Sequence, residues 1–313
     1  MDGARRARLR RRIGWMAGAL AAAAVTLAAP ALAWDHETHR LIARLALDAL
    51  APSPLKDFLS RNESQLEYFT VEPDRIPGRV EKRRHYVDLE MYGRRPFEAL
   101  DPSRAAMERE WGRRRFERNG TLPWTVERRA AELGRAWRAG QCASVLKLSG
   151  YVAHYVGDAS QPLHTTVHYD GYRDNYGDRG MHARLEGAAD SDVAALAASA
   201  RPRVKLIPIT SVWSALVEEL RSAHQLVGFV VTADRETRAE APPASRAFKR
   251  KLVALEQGMM ASQVARAASV LAAIWFYEWE QAGRPAVCAS TACSRPPAVC
   301  GSMTRPVLGR RPA

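Results

Sequence analysis

Residues 142–164 read Cys142-Ala143-Ser144-Val145-Leu146-Lys147-Leu148-Ser149-Gly150-Tyr151-Val152-Ala153-His154-Tyr155-Val156-Gly157-Asp158-Ala159-Ser160-Gln161-Pro162-Leu163-His164. Val145, Leu148, Val152 and Tyr155 recur at helical spacing, which predicts a helix over Cys142–Asp158. Pro162 forces Gln161 out of helical geometry and ends the helix there. His154 and Asp158 stand four residues apart and so share one face. After the turn, His164 returns toward the same cavity. The stretch is therefore a helix, apolar on one side, with ionisable side chains concentrated at its C-terminal end.

The same periodicity extends in both directions. Thr38–Leu50 places Leu41, Ile42, Leu45, Ala46, Ala49 and Leu50 at helical spacing. Trp124–Ala139 does so with Val126, Ala130, Leu133 and Trp137, and Gly140 closes it. Ser211–Val231 reads as one helix. Ala247–Gln281 reads as the longest, with a break expected near Gly258. No strand pattern and no internal repeat is present. Pro- and Gly-rich punctuation falls near Pro73–Gly78, Gly93–Pro96, Gly171–Gly180 and Ala241–Pro243. The expectation is one mainly-α domain, helical throughout, with long loops around a cleft.

The chain ends read differently. Arg5, Arg6, Arg8, Arg10, Arg11 and Arg12 precede an Ala-rich apolar run, and Ala31-Leu32-Ala33 follows it. These are the regions of a secretory signal peptide, expected to span residues 1–33, with a retained membrane anchor as the alternative. The paired arginines also fit twin-arginine export. Cleavage after Ala33 leaves 280 residues beginning at Trp34. Residues 34–283 are expected to form the domain and 284–313 a disordered tail containing Pro, Arg and Cys. The implied location is periplasmic or secreted, with no transmembrane segment after cleavage. Of the net charge of +13, the first 33 residues hold +5 and the last 30 hold +5, leaving +3 for the domain. The basic pI of about 10.0 is therefore no argument by itself for nucleic-acid binding. Cys142, Cys288, Cys293 and Cys300 match no zinc-ribbon spacing. A bridge within the tail, or incidental free thiols, are both open.

The chain has eight histidines: His36, His39, His85, His154, His164, His168, His182 and His224. His182 and Glu186 repeat the four-residue spacing of His154 and Asp158. Asp74 and His85 bracket a basic loop. Five histidines, two aspartates, one glutamate and the amine and carbonyl of a mature Trp34 exceed what one tetrahedral zinc needs. They suit three zinc ions with a bridging carboxylate.

These residues resemble the zinc-dependent phospholipase C / single-strand nuclease superfamily, whose nucleases are of the S-one/P-one type. The match lies in Trp34, His39, Asp74, the run His85-Tyr86-Val87-Asp88, the string from His154 to His164, and His182 with Glu186. The resemblance implies that Asp74, His85, His154 and Asp158 hold one zinc. Asp158 would bridge to a second, held also by His39 and the Trp34 terminus. His164, His182 and Glu186 would hold the third. It further implies Asp74 as general base.

The resemblance mixes two branches. Five residues from Trp34 to His39 is the nuclease spacing, whereas Glu186 is the phospholipase residue. Pro77 stands where nucleases carry a phosphate-contacting arginine, leaving Arg75 or Arg79 for that role. Asp170-Gly171-Tyr172-Arg173-Asp174-Asn175 replaces the nucleases' paired glycines. Tyr86 is placed to stack on a base and Asp88 to read its edge. The expectation is an exported zinc phosphodiesterase acting on single-stranded nucleic acid. A phospholipase C acting on phospholipid is the alternative, and a non-catalytic zinc protein the second. No stable protein partner is implied.

Overall fold

The computed structural model describes residues 36–172, 175–243, 245–286 and 288. The expected signal peptide, Trp34 and most of the tail lie outside them. In chain order the helices are α1 (His36–Ala49), α2 (Pro54–Arg61), α3 (Glu63–Val71), α4 (Arg79–Lys82), α5 (Pro96–Ala99), α6 (Arg104–Trp111) and α7 (Arg113–Arg118). They continue with α8 (Leu122–Arg138), α9 (Cys142–Ser160), α10 (Met181–Ala189), α11 (Val193–Ala200), α12 (Val212–His224), α13 (Val227–Glu240) and α14 (Arg246–Gln281). Short 3-10 turns join several of them. No strand occurs among the described residues.

α9 and α14 form the centre. Every residue of α9 from Ser149 to Ser160 is buried, because α8, α3 and α14 pack around it. Gly150 makes the α3 contact possible. A β-carbon there would stand 2.5 Å from Phe69 Cβ and 2.9 Å from the Thr70 amide. α14 has 36 residues, with Ser245 capping it through the Phe248 amide. It is long and apolar enough to cross a membrane by length and composition, but 78% of its most apolar window is buried in the fold. It packs on α1, α9, α11 and α13, so its all-round apolar surface is that of a core helix.

Two expectations need correction. α14 runs through Gly258 unbroken. A single helical glycine costs only about 1 kcal/mol, and burial of Met260 to Trp275 outweighs that. The predicted helix over Ser211–Val231 is two helices, because the Leu226 amide bonds back three residues to Ala223 and tightens the turn. α12 then buries Leu216, Leu220 and Ala223, while α13 buries Val227, Val230 and Val231. Helices α2 and α6 escape the periodicity reading because each has only 8 residues. Their starts are nonetheless written locally: Ser53 and Ser103 cap them through the Lys56 and Ala106 amides.

Cys142 is bonded to Cys288, with Cα atoms 5.4 Å apart and a sequence separation of 146. Cys288 is fully buried. The expected tail is thus pinned to the start of α9 a few residues after its beginning at Arg284. A bridge within the tail is excluded for Cys288, whereas Cys293 and Cys300 lie outside the described residues.

Candidate metal centre

α9 presents its last turns to one cavity. His154 and Asp158 are completely buried, and His39 from α1 joins them, also completely buried. His39 Nε2 lies 3.5 Å from Asp158 Oδ1. Gly157 permits the approach: a β-carbon there would stand 2.6 Å from His39 Nδ1. The start of α1 is held from the far side of the cavity. Asp190, just after α10, accepts from the amides of Glu37 at 3.1 Å and Thr38 at 3.0 Å. A carboxylate there satisfies exposed helix N–H groups and favours the helix dipole.

The turn Pro73–Arg75 delivers Asp74, and the segment after α4 delivers His85. His85 Nδ1 lies 3.5 Å from Asp74 Oδ1 and 3.1 Å from Asp158 Oδ2. His154 Nε2 is 3.0 Å from His85 Nδ1 and 3.4 Å from both Asp74 Oδ1 and Asp158 Oδ2. His154 Nδ1 donates to the Thr70 carbonyl at 2.8 Å, which turns Nε2 into the cluster. The close approach at Gly150 brings that carbonyl within reach.

The third group gathers where α9 ends. His164 Nε2 lies 3.1 Å from His182 Nε2 and 3.5 Å from Glu186 Oε1, and His182 Nε2 lies 2.6 Å from Glu186 Oε1. His164 Nδ1 is 2.5 Å from the His85 carbonyl, and the Val87 amide donates to the His164 carbonyl at 2.9 Å. Those two bonds tie the third group to the second. His164 Nδ1 also lies 3.7 Å from Asp158 Oδ1, so Asp158 faces four of the five histidines, His39, His85, His154 and His164.

Three ligand groups result: His39, His154 and Asp158; Asp74, His85 and His154; and His164, His182 and Glu186. Within each, the candidate donor atoms lie within 4.8 Å of one another. Zinc holds nitrogen at roughly 2.0–2.1 Å, so tetrahedral neighbours stand about 3.3–3.4 Å apart. Separations of 3.0–3.5 Å in the groups bracket that edge, and only the 2.6 Å between His182 and Glu186 falls short of it. Among the described residues, buried polar atoms also remain without hydrogen bonds: both His39 nitrogens, Asp74 Oδ2, Asp158 Oδ1 and His182 Nδ1. Such atoms are costly unless something else engages them. Imidazole with carboxylate is a donor set that zinc accepts, so the residues fit the ion. Trp34, the remaining proposed ligand, lies outside the described residues.

The electrostatics agree. Burial works against charge on His154, but Asp158 and Asp74 outweigh it and push the imidazole up to about 9. Burial would raise Asp158, yet His154 and His164 hold it well below the usual carboxylate range. Asp74 likewise is held low by His154 against its burial. His39 goes the other way: burial, then His154, lower it. The pocket thus concentrates anionic oxygen around imidazoles, with protons that a cation can displace.

Residues that carry no signal in isolation support the ligands. Gln161 Nε2 donates to Glu186 Oε1 at 3.1 Å, and its Oε1 accepts from the Leu163 amide. Glu81 accepts from Tyr155 and Arg84, and its Oε1 lies 3.8 Å from His85 Nε2. The four-residue spacing of Glu81 and His85 was the available clue. Asp178 is fully buried in the loop before α10. It accepts from Arg235 Nε at 2.9 Å, Arg235 Nη2 at 2.6 Å and Arg238 Nη2 at 2.7 Å. Arg184, between His182 and Glu186, joins that network through Asp234 and the Asp178 carbonyl.

The expected substrate residues are placed unevenly. Tyr86 follows His85 directly. Its carbonyl accepts from the Leu122 amide at 3.2 Å, and its hydroxyl donates to the Arg118 carbonyl at 3.2 Å. Gly120, at φ +84°, leaves room for it, since a β-carbon there would stand 2.1 Å from the Tyr86 oxygen. Asp88 is half-buried, and burial followed by Glu90 pushes its carboxyl up to about 7. Arg75 is exposed and lies 5.8 Å over the Tyr68 ring.

The helical domain brings three His/carboxylate groups together, each of which could hold a metal ion. The chain belongs to the zinc-dependent phospholipase C family, whose description matches residues 38–227. Among solved structures it resembles the alpha toxin of Clostridium absonum. The match has 14% identity and a TM-score of 0.43, over 79% of this chain and 63% of the toxin chain. The chain thus spans less than two thirds of that toxin. No curated protein sequence matches it.

Proposed function

We propose that the chain is an exported zinc-dependent phosphodiesterase that uses three zinc ions and acts on single-stranded nucleic acid. The observation carrying the hydrolytic reading is that two ligand groups share His154 while Asp158 lies 3.1 Å from His85 and 3.7 Å from His164, which packs the donors for several cations into one site. Zinc supplies Lewis acidity and charge neutralisation for a phosphodiester there. Asp74 Oδ2, buried and without a hydrogen-bond partner, accepts the proton of the attacking water. His164, His182 and Glu186 hold the far side, where the leaving oxygen is stabilised. Family membership supports zinc and ester hydrolysis.

The substrate preference rests on the rim. Asp74 and His85 are joined by a segment carrying Arg75, Arg79, Lys82, Arg83 and Arg84 against the single acid Glu81. Tyr86 emerges beside it, and Tyr169 is exposed with its ring 6.0 Å from that of His182. Cations with aromatic faces suit a single strand. A phospholipase C is the second reading, favoured by the family match and by glutamate at position 186. Signal-cleaved protein assayed on single-stranded DNA, RNA and phosphatidylcholine in parallel separates them. Turnover of phosphatidylcholine alone would overturn the nuclease reading, and turnover of none would leave a binding protein. The Trp34 amine has its own test: a variant with Met before Trp34 is expected to bind its zinc incompletely. A full zinc complement in that variant excludes the terminus as a ligand.

A further inference from the structure

The α8–α9 hairpin opens a cavity of about 440 Å³ that no ligand residue of the metal centre lines. Its size falls in the roughly 300–1,000 Å³ range of small-molecule sites. Three cations line it, Arg129, Arg135 and Lys147, against one acid, Glu132. Two of the cations are engaged. Arg129 pairs with Glu132 at 2.8 Å and lies 5.3 Å over the Tyr151 ring. Lys147 pairs with Glu72 at 3.0 Å and lies 5.2 Å from the same ring. Arg135 is exposed and forms no ion pair among the described residues. The floor between the charges is apolar, made by Ala136, Ala139 and Leu148.

We propose that this groove binds a small amphipathic anion, a single phosphate or carboxylate head on a short apolar chain. Arg135, which forms no ion pair among the described residues and whose charge acts on Glu278 only electrostatically, takes the head, with Gln141 and Ser144 in the same lining as neutral donors. The alkyl chain covers the alanine and leucine floor. The chain's own C-terminus is the wrong occupant on charge. It leaves Cys288, bonded to Cys142 next to Gln141, and residues 289–313 carry four arginines and no acid.

The test is calorimetric titration of the zinc-loaded full-length mature protein with hexyl phosphate, hexanoate, inorganic phosphate and hexyltrimethylammonium. Arg135→Glu and Ala139→Trp change the groove and leave the metal ligands alone, so binding that persists in both variants belongs to the metal centre. The expected result is saturable binding of hexyl phosphate or hexanoate, weakened about tenfold or more by Arg135→Glu and lost in Ala139→Trp, at unchanged zinc content. Which of the two binds more tightly identifies the head group. Three results overturn the proposal: affinity unaltered by both variants, inorganic phosphate bound as tightly as hexyl phosphate, or the ammonium bound as tightly as the anions.

Discussion

The two ends of the metal centre are built differently. The His39, Asp74, His85, His154 and Asp158 end is seated on α9, where every residue from Ser149 to Ser160 is buried. Its neighbours approach through glycines: Gly150 admits the backbone of α3, and Gly157 admits the ring of His39. The His164, His182 and Glu186 end spans a turn, a loop and the start of α10. Its supports are polar: Gln161 on Glu186, and the pairing of Asp178 and Asp234 with Arg184, Arg235 and Arg238. One end is positioned by close packing, the other by a charged network at the edge of the domain. Packing fixes geometry without depending on pH or salt, whereas a network of ions does not share that immunity.

Asp158→Asn tests the junction of the two ends and carries the largest expected effect. It removes the carboxylate that faces His39, His85, His154 and His164. Zinc content should fall by more than in His182→Ala, and phosphodiesterase rate by at least about 100-fold. Metal analysis beside a rate measurement checks it, and a full zinc complement would show that Asp158 bridges nothing.

Gly157→Ala tests the packed end alone. The added methyl would meet His39 Nδ1 at 2.6 Å within a buried helix, so His39 must move. A loss of activity of about 10–100-fold is expected, with zinc lost from the His39 side while His164, His182 and Glu186 keep theirs. Activity and zinc equal to the parent would mean that His39 is not held by this contact.

Asp178→Asn tests the polar end. It weakens the pairing with Arg235 and Arg238 and touches no ligand. The most weakly held zinc should become roughly tenfold easier to chelate, and more so in high salt. Unchanged chelation at both salt concentrations would count against the network as the support of α10.

The smallest expected effect lies beneath that network. Glu256 is fully buried, neither oxygen has a hydrogen bond, and burial followed by the charge of Asp234 pushes it up to about 8. The folded state therefore keeps its proton between the ordinary glutamate value near 4.5 and about 8, where the unfolded chain has lost it. More protons bound to the folded state means that stability falls as pH rises through that window. Glu256→Gln should raise the Tm at pH 8, change little at pH 5, and flatten the profile between. An equal shift at both pH values would remove Glu256 as the source.

Much of this was legible along the chain. The helices around His39, Trp137, His154 and Trp275 announce themselves because one period runs through long apolar stripes. His154 with Asp158 and His182 with Glu186 are local in the strict sense, since one helical turn brings each pair together whatever the rest does. Zinc-binding family membership followed from those pairs and the string ending at His164.

What only the tertiary structure decided is everything that depends on separation in space between residues far apart in sequence. The partner of Cys142 is 146 residues away, and four cysteines leave their pairing open until the ends of α9 and α14 meet. Asp178 and Asp190 carry no chemical pattern of their own, and the patterns that contain Glu81 and Gln161 do not say what those side chains support. Their roles come from which arginine, tyrosine, carboxylate or helix end the packing sets beside them. Sequence period determines which face of a helix is buried. Only the packed fold determines what that face is buried against, and the centre is made of those encounters.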